Sequence, residues 1–171
     1  MEILRIGREG LLWIAAIVLA AGWLVTAIQT CGPPAPPCEV PFRSLDVNEF
    51  AVLEQISRYR MSIGLGPLSG DPALTRAAQW KANDMAARGY TSHDDTTGRD
   101  FPRRLAECGV VSLTIAEVIA SGQETPTEVV RDWIASPLHD AILRSALYSE
   151  AGVGTAQSEN GTNYWVVDVS N

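Results

Sequence analysis

Between Gly10 and Thr30 the chain carries no charged residue, and the run Leu11-Leu12-Trp13-Ile14-Ala15-Ala16-Ile17-Val18-Leu19-Ala20-Ala21-Gly22-Trp23-Leu24-Val25 stays apolar on to Ile28. A helix of that length crosses about 30 Å of hydrocarbon, and a soluble core of this size has no place for it. The run therefore divides the chain into a cytoplasmic stub and transmembrane anchor at 1–30, a proline-rich spacer at 31–45 and a folded domain at 46–171. Arg5 and Arg8 precede the apolar run and the next basic residue is Arg43. By the positive-inside rule the N-terminus is then cytoplasmic, and the C-terminal domain is periplasmic or extracellular. A cleaved signal peptide is the competing reading, but the apolar stretch is longer than such peptides use and no small-x-small site follows it. A lipoprotein would acylate Cys31, and Ile28-Gln29-Thr30 lacks the small residues that such processing prefers.

The spacer Cys31-Gly32-Pro33-Pro34-Ala35-Pro36-Pro37-Cys38 favours an extended, semi-rigid polyproline conformation. Cys108 is the third cysteine. An oxidising compartment permits one disulfide, Cys31 with Cys38 or Cys38 with Cys108, and three reduced thiols are the alternative. The net charge of −7 argues against a nucleic-acid surface, since phosphate binding needs clustered Lys and Arg. Basic pairs such as Arg103-Arg104 read as solvated helix faces.

Beyond the spacer, helical and extended signals alternate. Asp46 caps a helix with Phe50, Leu53, Ile56 and Met61 at apolar positions and Gly64 as its stop. Asp71-Pro72 opens a second, whose Leu74, Ala77, Ala78, Trp80, Ala82 and Met85 form a broad apolar surface ended by Gly89. Pro102 to Cys108 reads as a short third helix. Thr125-Pro126-Thr127-Glu128 is a capping box that starts a fourth through Val129, Val130 and Trp133, followed by a brief turn from Pro137 to Leu143. Ala151 to Ala156 and Tyr164 to Val169 flank a turn-forming stretch as an antiparallel hairpin, and Ile115 to Ala120 is a third strand. The expected fold is α+β, with helices packed on a small antiparallel sheet.

Polar chemistry concentrates at Ser92-His93-Asp94, at Ser136-Pro137-Leu138-His139-Asp140, and at Glu117, a carboxylate inside the apolar run Ala116 to Ala120. A lone buried acid is costly unless paired. Histidines are natural partners for it, and His93, Glu117 and His139 could together hold a divalent cation such as zinc with an open position for water. The same three side chains serve equally as a hydrogen-bonded structural cluster, and gaps of roughly two dozen residues are far longer than those of compact zinc motifs.

The succession Gly64-Leu65-Gly66-Pro67-Leu68, Asp71-Pro72-Ala73-Leu74, Asp84-Met85-Ala86-Ala87-Arg88-Gly89, Ser92-His93, Ala116-Glu117-Val118, Val129-Val130-Arg131-Asp132-Trp133, Ser136-Pro137-Leu138-His139, Gly152-Val153-Gly154 and Tyr164-Trp165 resembles the bacterial branch of the CAP superfamily. That superfamily includes the cysteine-rich secretory and plant pathogenesis-related (SCP-like) proteins, and the resemblance spans about residues 48 to 169. It implies an α-β-α sandwich whose cleft carries two histidines, matched by His93 and His139, and a glutamate, matched by Glu117, which in some members bind zinc. The second glutamate of eukaryotic members has no clear equivalent. Where the family commonly has Gly-Glu-Asn and Pro-Gly-His-Arg, this chain has Ala116-Glu117-Val118 and Pro137-Leu138-His139-Asp140. Losing polar partners that orient metal ligands implies a poorer metal site.

Two function classes follow. The resemblance implies a non-enzymatic extracytoplasmic module that binds lipids, small ligands, proteins or cations and requires no cofactor. The alternative is a metal-dependent or serine-type hydrolase, for which Ser92 and Ser136 lie beside the histidines although adjacency in sequence orients no hydroxyl. The anchor, residues 11–28, contains Ala15, Ala16, Ala20, Ala21 and Gly22, small residues that permit close approach to other transmembrane helices. An accessory subunit of an integral-membrane complex is the reading this suggests; an ordinary lipid-facing anchor is the other.

Overall fold

Residues 43–171 are described by a computed structural model; the apolar run, Cys31, Cys38 and the spacer through residue 42 lie outside the described residues. Among the described residues no helix is long and apolar enough to cross a membrane.

Helices start where side chains take up the orphaned first-turn amides. Asp46 caps α1 (Val47–Ser62), accepting from the amides of Asn48 and Glu49, while Glu49 accepts from the Asp46 amide to complete a capping box. Asp71 caps α2 (Pro72–Arg88), and Gly89 ends it in the left-handed region at φ 68°. Asp100 caps α3 (Phe101–Glu107), Thr125 caps α4 (Pro126–Ala135), and α5 (Pro137–Leu143) follows directly. The expected box at Thr125 is half formed: Thr125 accepts from the Glu128 amide, but the Glu128 carboxylate reaches back to the Glu124 amide. The expected turn at Pro137 is a seven-residue helix.

Four strands, β1 (Ser69–Gly70), β2 (Ile115–Ser121), β3 (Glu150–Gln157) and β4 (Asn163–Ser170), form one sheet in the order β1-β3-β4-β2. The β3–β4 hairpin and the β4–β2 pair are antiparallel as expected. The sheet is nevertheless mixed, because the two-residue β1, too short to show alternation, pairs parallel to β3.

Alternation along the strands sends successive side chains to opposite faces. On one face Val118, Val153, Val167 and Trp165 pack with Val52 and Ile56 of α1 and Val129, Val130 and Trp133 of α4. On the other, α2 covers Ile119, Val166 and Tyr164, and Leu74 and Ala77 of α2 with Leu105 of α3 and Cys108 form a neighbouring cluster with Ile115 at its edge. The result is an α-β-α sandwich. Of the apolar positions expected for α1, Ile56 faces the core and Leu53 packs against it, whereas Phe50 and Met61 are exposed and Val52 takes a core place. Two buried polar residues set that rotation. Glu49 accepts from Arg43 and from the Thr155 amide on β3, and Arg60 donates to the carbonyls of Gly66, Leu143, Ser145 and Tyr148.

Cys108 is buried and disulfide-bonded, so the reading of three reduced thiols is set aside.

Helix α2 lies on β3 with no side chain between the two backbones. A Cβ added at Gly152 would stand 2.0 Å from the Leu74 carbonyl carbon, and one at Gly154 2.3 Å from that of Ala78. Both meet backbone, which cannot rotate away. Gly152→Ala should therefore cost about 3 kcal/mol and lower the melting temperature by about 10 °C. An unchanged thermal unfolding curve would show that α2 does not rest on that strand.

Candidate functional site

Strand register aligns Glu117 of β2, Asp168 of β4 and Gly152 of β3 in one row across the sheet. Since Gly152 faces α2, so do Glu117 and Asp168. The row separates the two apolar clusters on that face, and both carboxyls are nearly or fully inaccessible to solvent. Burying acids there demands compensating donors, and they arrive from two helices and one loop.

Arg104 of α3, fully buried, donates through Nη2 to Glu117 Oε2. The same nitrogen stands 4.0 Å from Asp168 Oδ1. His93 Nδ1 lies 2.8 Å from Glu117 Oε1. A carboxylate only accepts, so Nδ1 carries the proton in this contact. Both Glu117 oxygens are thus engaged. Burial first, then the charge of the adjacent Glu117 carboxylate, holds the Asp168 carboxyl well above the usual carboxylate range.

The loop bearing His93 is held from below. Arg104 Nη1 donates to the His93 carbonyl at 3.3 Å, and the buried Lys81 of α2 donates to the Asp94 carbonyl at 2.8 Å and to the Tyr90 hydroxyl at 2.9 Å. Tyr90 in turn donates to Asp84. Burial, then the nearby Arg104, lowers Lys81 to about 8. Beyond His93, Asp95 accepts from the amide and hydroxyl of Thr97 and from the amide and guanidinium of Arg99, contacts that hold its carboxyl below the usual range despite an opposing burial effect. The His93 ring stands at the surface with about half its side chain exposed, between the exposed Ser92 and Asp94.

His139 lies on α5 and is half-buried. Its pKa is lowered, first by burial and then by the charge of His93. Its helix is fastened by Tyr59, whose hydroxyl donates to Asp140 at 2.5 Å. The structure therefore joins His93 and Glu117 by a hydrogen bond and leaves His139 beside them without one. Among the described residues no group of three His, Cys, Asp or Glu is arranged to hold a metal ion. The donor set does not fit one as it stands, because Glu117 has no free oxygen and a guanidinium already brings positive charge to it. Neither the Ser92 nor the Ser136 hydroxyl makes a described hydrogen bond to either histidine.

Three members of this network, Arg104, Lys81 and Asp168, lie outside the expected set, and Arg104 corrects the reading of Arg103-Arg104 as a solvated face. A signal for it exists: Phe101, Arg104, Leu105 and Cys108 share the inward stripe of α3, and an arginine in such a stripe needs a carboxylate. Asp168 between Val167 and Val169 meets the same criterion as Glu117.

The profile of CAP, the cysteine-rich secretory protein family, matches residues 53–169. The uncharacterized protein YkwD of Bacillus subtilis (strain 168) is 34% identical over 116 residues, covering 67% of this chain and 45% of its own length. The chain thus spans less than half of that curated relative. Among solved structures, an outer surface protein from Borrelia burgdorferi superposes with a TM-score of 0.67 at 21% identity, covering 75% of this chain and 97% of that one. An extracellular protein with an SCP domain from Bacillus anthracis gives 0.64 at 21%, covering 72% and 40%. At those identities the likeness is one of fold.

The Asp168 proton has a measurable consequence. A carboxyl raised on folding contributes stability that is complete below its unfolded value, near pH 4, and is lost as pH rises through the folded value. Asp168→Asn has no proton to lose and removes that decline. Urea unfolding at several values between about pH 4 and 8 should show wild type losing stability relative to the variant as pH rises; a pH-independent difference would contradict a protonated Asp168.

Proposed function

The chain belongs to the CAP, or cysteine-rich secretory protein, family, and on that premise we propose that it is a membrane-anchored, non-enzymatic binding module displayed outside the cytoplasm. The observation that carries this reading is the engagement of both Glu117 oxygens by His93 and Arg104. A general base needs a free lone pair aimed at a substrate proton, and a metal-bound water needs ligands turned toward the metal. Here the carboxylate is used to hold the cleft together. A hydrolase would have to break this ion pair before each reaction.

Placement outside the cytoplasm is supported by three independent features. The disulfide at Cys108 suits an oxidising compartment. Arg5 and Arg8 precede the apolar run and no basic residue follows it before Arg43, a bias that favours an N-terminus inside. Relatives of the same fold are described as an outer surface protein and an extracellular protein. The span at residues 11–28 is the proposed route to a partner, an integral-membrane complex in which this chain is an accessory subunit, because its small residues let another helix approach closely.

Exchanging residues 11–28 for polyleucine in the full chain should leave the domain folded, with a reporter after Asn171 still on the outer face, and abolish co-purification with membrane partners in mild detergent. Leucine fills the space that small residues leave open. If the domain released without its span captures the same protein, recognition belongs to the outer surface and the helix is only a tether.

A further inference from the structure

We propose that Cys108 is bonded to Cys38, and that the bridge straps residues 38–42 across the outer side of α2 and clamps the end of the spacer to α3. The proposal takes its oxidising compartment from the reading above. Cys108 is buried and disulfide-bonded, and the sequence offers Cys31 and Cys38 as its partners within the chain. The described chain starts at Arg43, whose place is fixed. Its guanidinium donates to both Glu49 oxygens, at 2.9 and 2.6 Å, and to Gln79 Oε1 of α2. Arg43 also borders a groove shared with Pro72 and Thr75 of the same helix. Cys108 packs against Leu74 and Ala77 of α2, and Arg76 donates to its carbonyl at 3.2 Å.

Arg43 and Cys108 thus stand against the same stretch of α2, Pro72 to Gln79, which is about 12 Å long and about 10 Å thick. The five residues from Cys38 to Arg43 cover up to about 17 Å when extended, and the bridge adds about 5.5 Å between Cα atoms. Cys38 therefore reaches with little slack. Cys31 lies seven residues further back, behind Pro33-Pro34-Ala35-Pro36-Pro37, and a polyproline segment resists folding back on itself. That stiffness favours the nearer cysteine. The bond forms by thiol–disulfide exchange with a disulfide-carrying oxidant of the outer compartment. The Cys38 and Cys108 thiols lose two protons and two electrons, and the oxidant's disulfide is reduced to two thiols. Cys108 is the C-cap of α3, whose Arg104 holds Glu117 and the His93 carbonyl. The strap pins the short helix that carries this guanidinium, and Cys31 remains a thiol.

The test maps thiols in full-length protein in detergent, one sample alkylated at lysis and another alkylated only after incubation with glutathione disulfide. Mass spectrometry should find a cross-linked peptide joining Cys108 to Cys38, with fragment ions placing the alkyl group on Cys31. Thermal unfolding supplies a second reading. Cys31→Ser should melt as wild type does. The double variants Cys31→Ser, Cys38→Ser and Cys31→Ser, Cys108→Ser should each melt about 10 °C lower, because a long loop is no longer closed in the unfolded chain. Three alkylated thiols at lysis, with the Cys38–Cys108 link forming in glutathione disulfide, support the pairing and contradict instead the placement outside the cytoplasm. A Cys31–Cys108 link, a Cys31–Cys38 link or a Cys108 bond to another chain overturns the proposal, as does a double variant as stable as Cys31→Ser.

Discussion

Contact between the α2 backbone and a strand floored with glycine is the constraint on which the rest of this structure depends. Because Gly152 and Gly154 present no Cβ, α2 settles directly onto β3, and everything else on that face is set by how close the helix sits. Tyr164, Val166 and Ile119 fill the space toward one end and Leu74, Leu105 and Cys108 the space toward the other. The row between them contains the two carboxyls. With so little room, α3 brings Arg104 to the Glu117 carboxylate, and burial holds the Asp168 carboxyl well above the usual carboxylate range.

Such an arrangement is weak evidence of stability in itself. Desolvating an arginine and a glutamate costs about as much as their attraction returns, whereas removing one member leaves a stranded charge and costs about 3 to 5 kcal/mol. What the network secures is position. Arg104 binds the Glu117 side chain and the His93 backbone with one guanidinium, and Lys81 binds the next carbonyl along the loop. The histidine ring is thereby presented at the surface from a rigid base. A binding surface gains from that rigidity because less conformational entropy remains to be lost on contact with a partner. The same rigidity works against a reaction in which Glu117 must change partners.

Much of this was legible in the chain. Capping residues Asp46, Asp71 and Thr125 and the stop at Gly89 placed three helices, because caps are local chemistry that needs no tertiary knowledge. Period-two runs placed β2, β3 and β4 within a residue at each end. Glu117 stood out as an acid in an apolar run, and its hydrogen bond to His93 is present. Other features are tertiary. Phe50 and Met61 were drawn to the core by apolar spacing, but Glu49 and Arg60 have fixed backbone partners on distant elements and turn the helix away from that pattern. The parallel β1 is two residues long and has no pattern to read. Arg104 was hidden by its neighbour Arg103, which is exposed and pairs with Glu107; only the facing sheet distinguishes the two.

The central claim is that Glu117 is held by Arg104 and not kept free for a metal or substrate. Side-chain nitrogen NMR of Arg104 in the full chain reads this directly, since a guanidinium locked in a buried ion pair rotates slowly and its terminal N–H groups resist exchange with water. The account predicts separate, protected Arg104 Nη resonances that remain unchanged when zinc is added. Averaged, rapidly exchanging Nη signals in wild-type protein, or protected signals that collapse on addition of zinc, would contradict it.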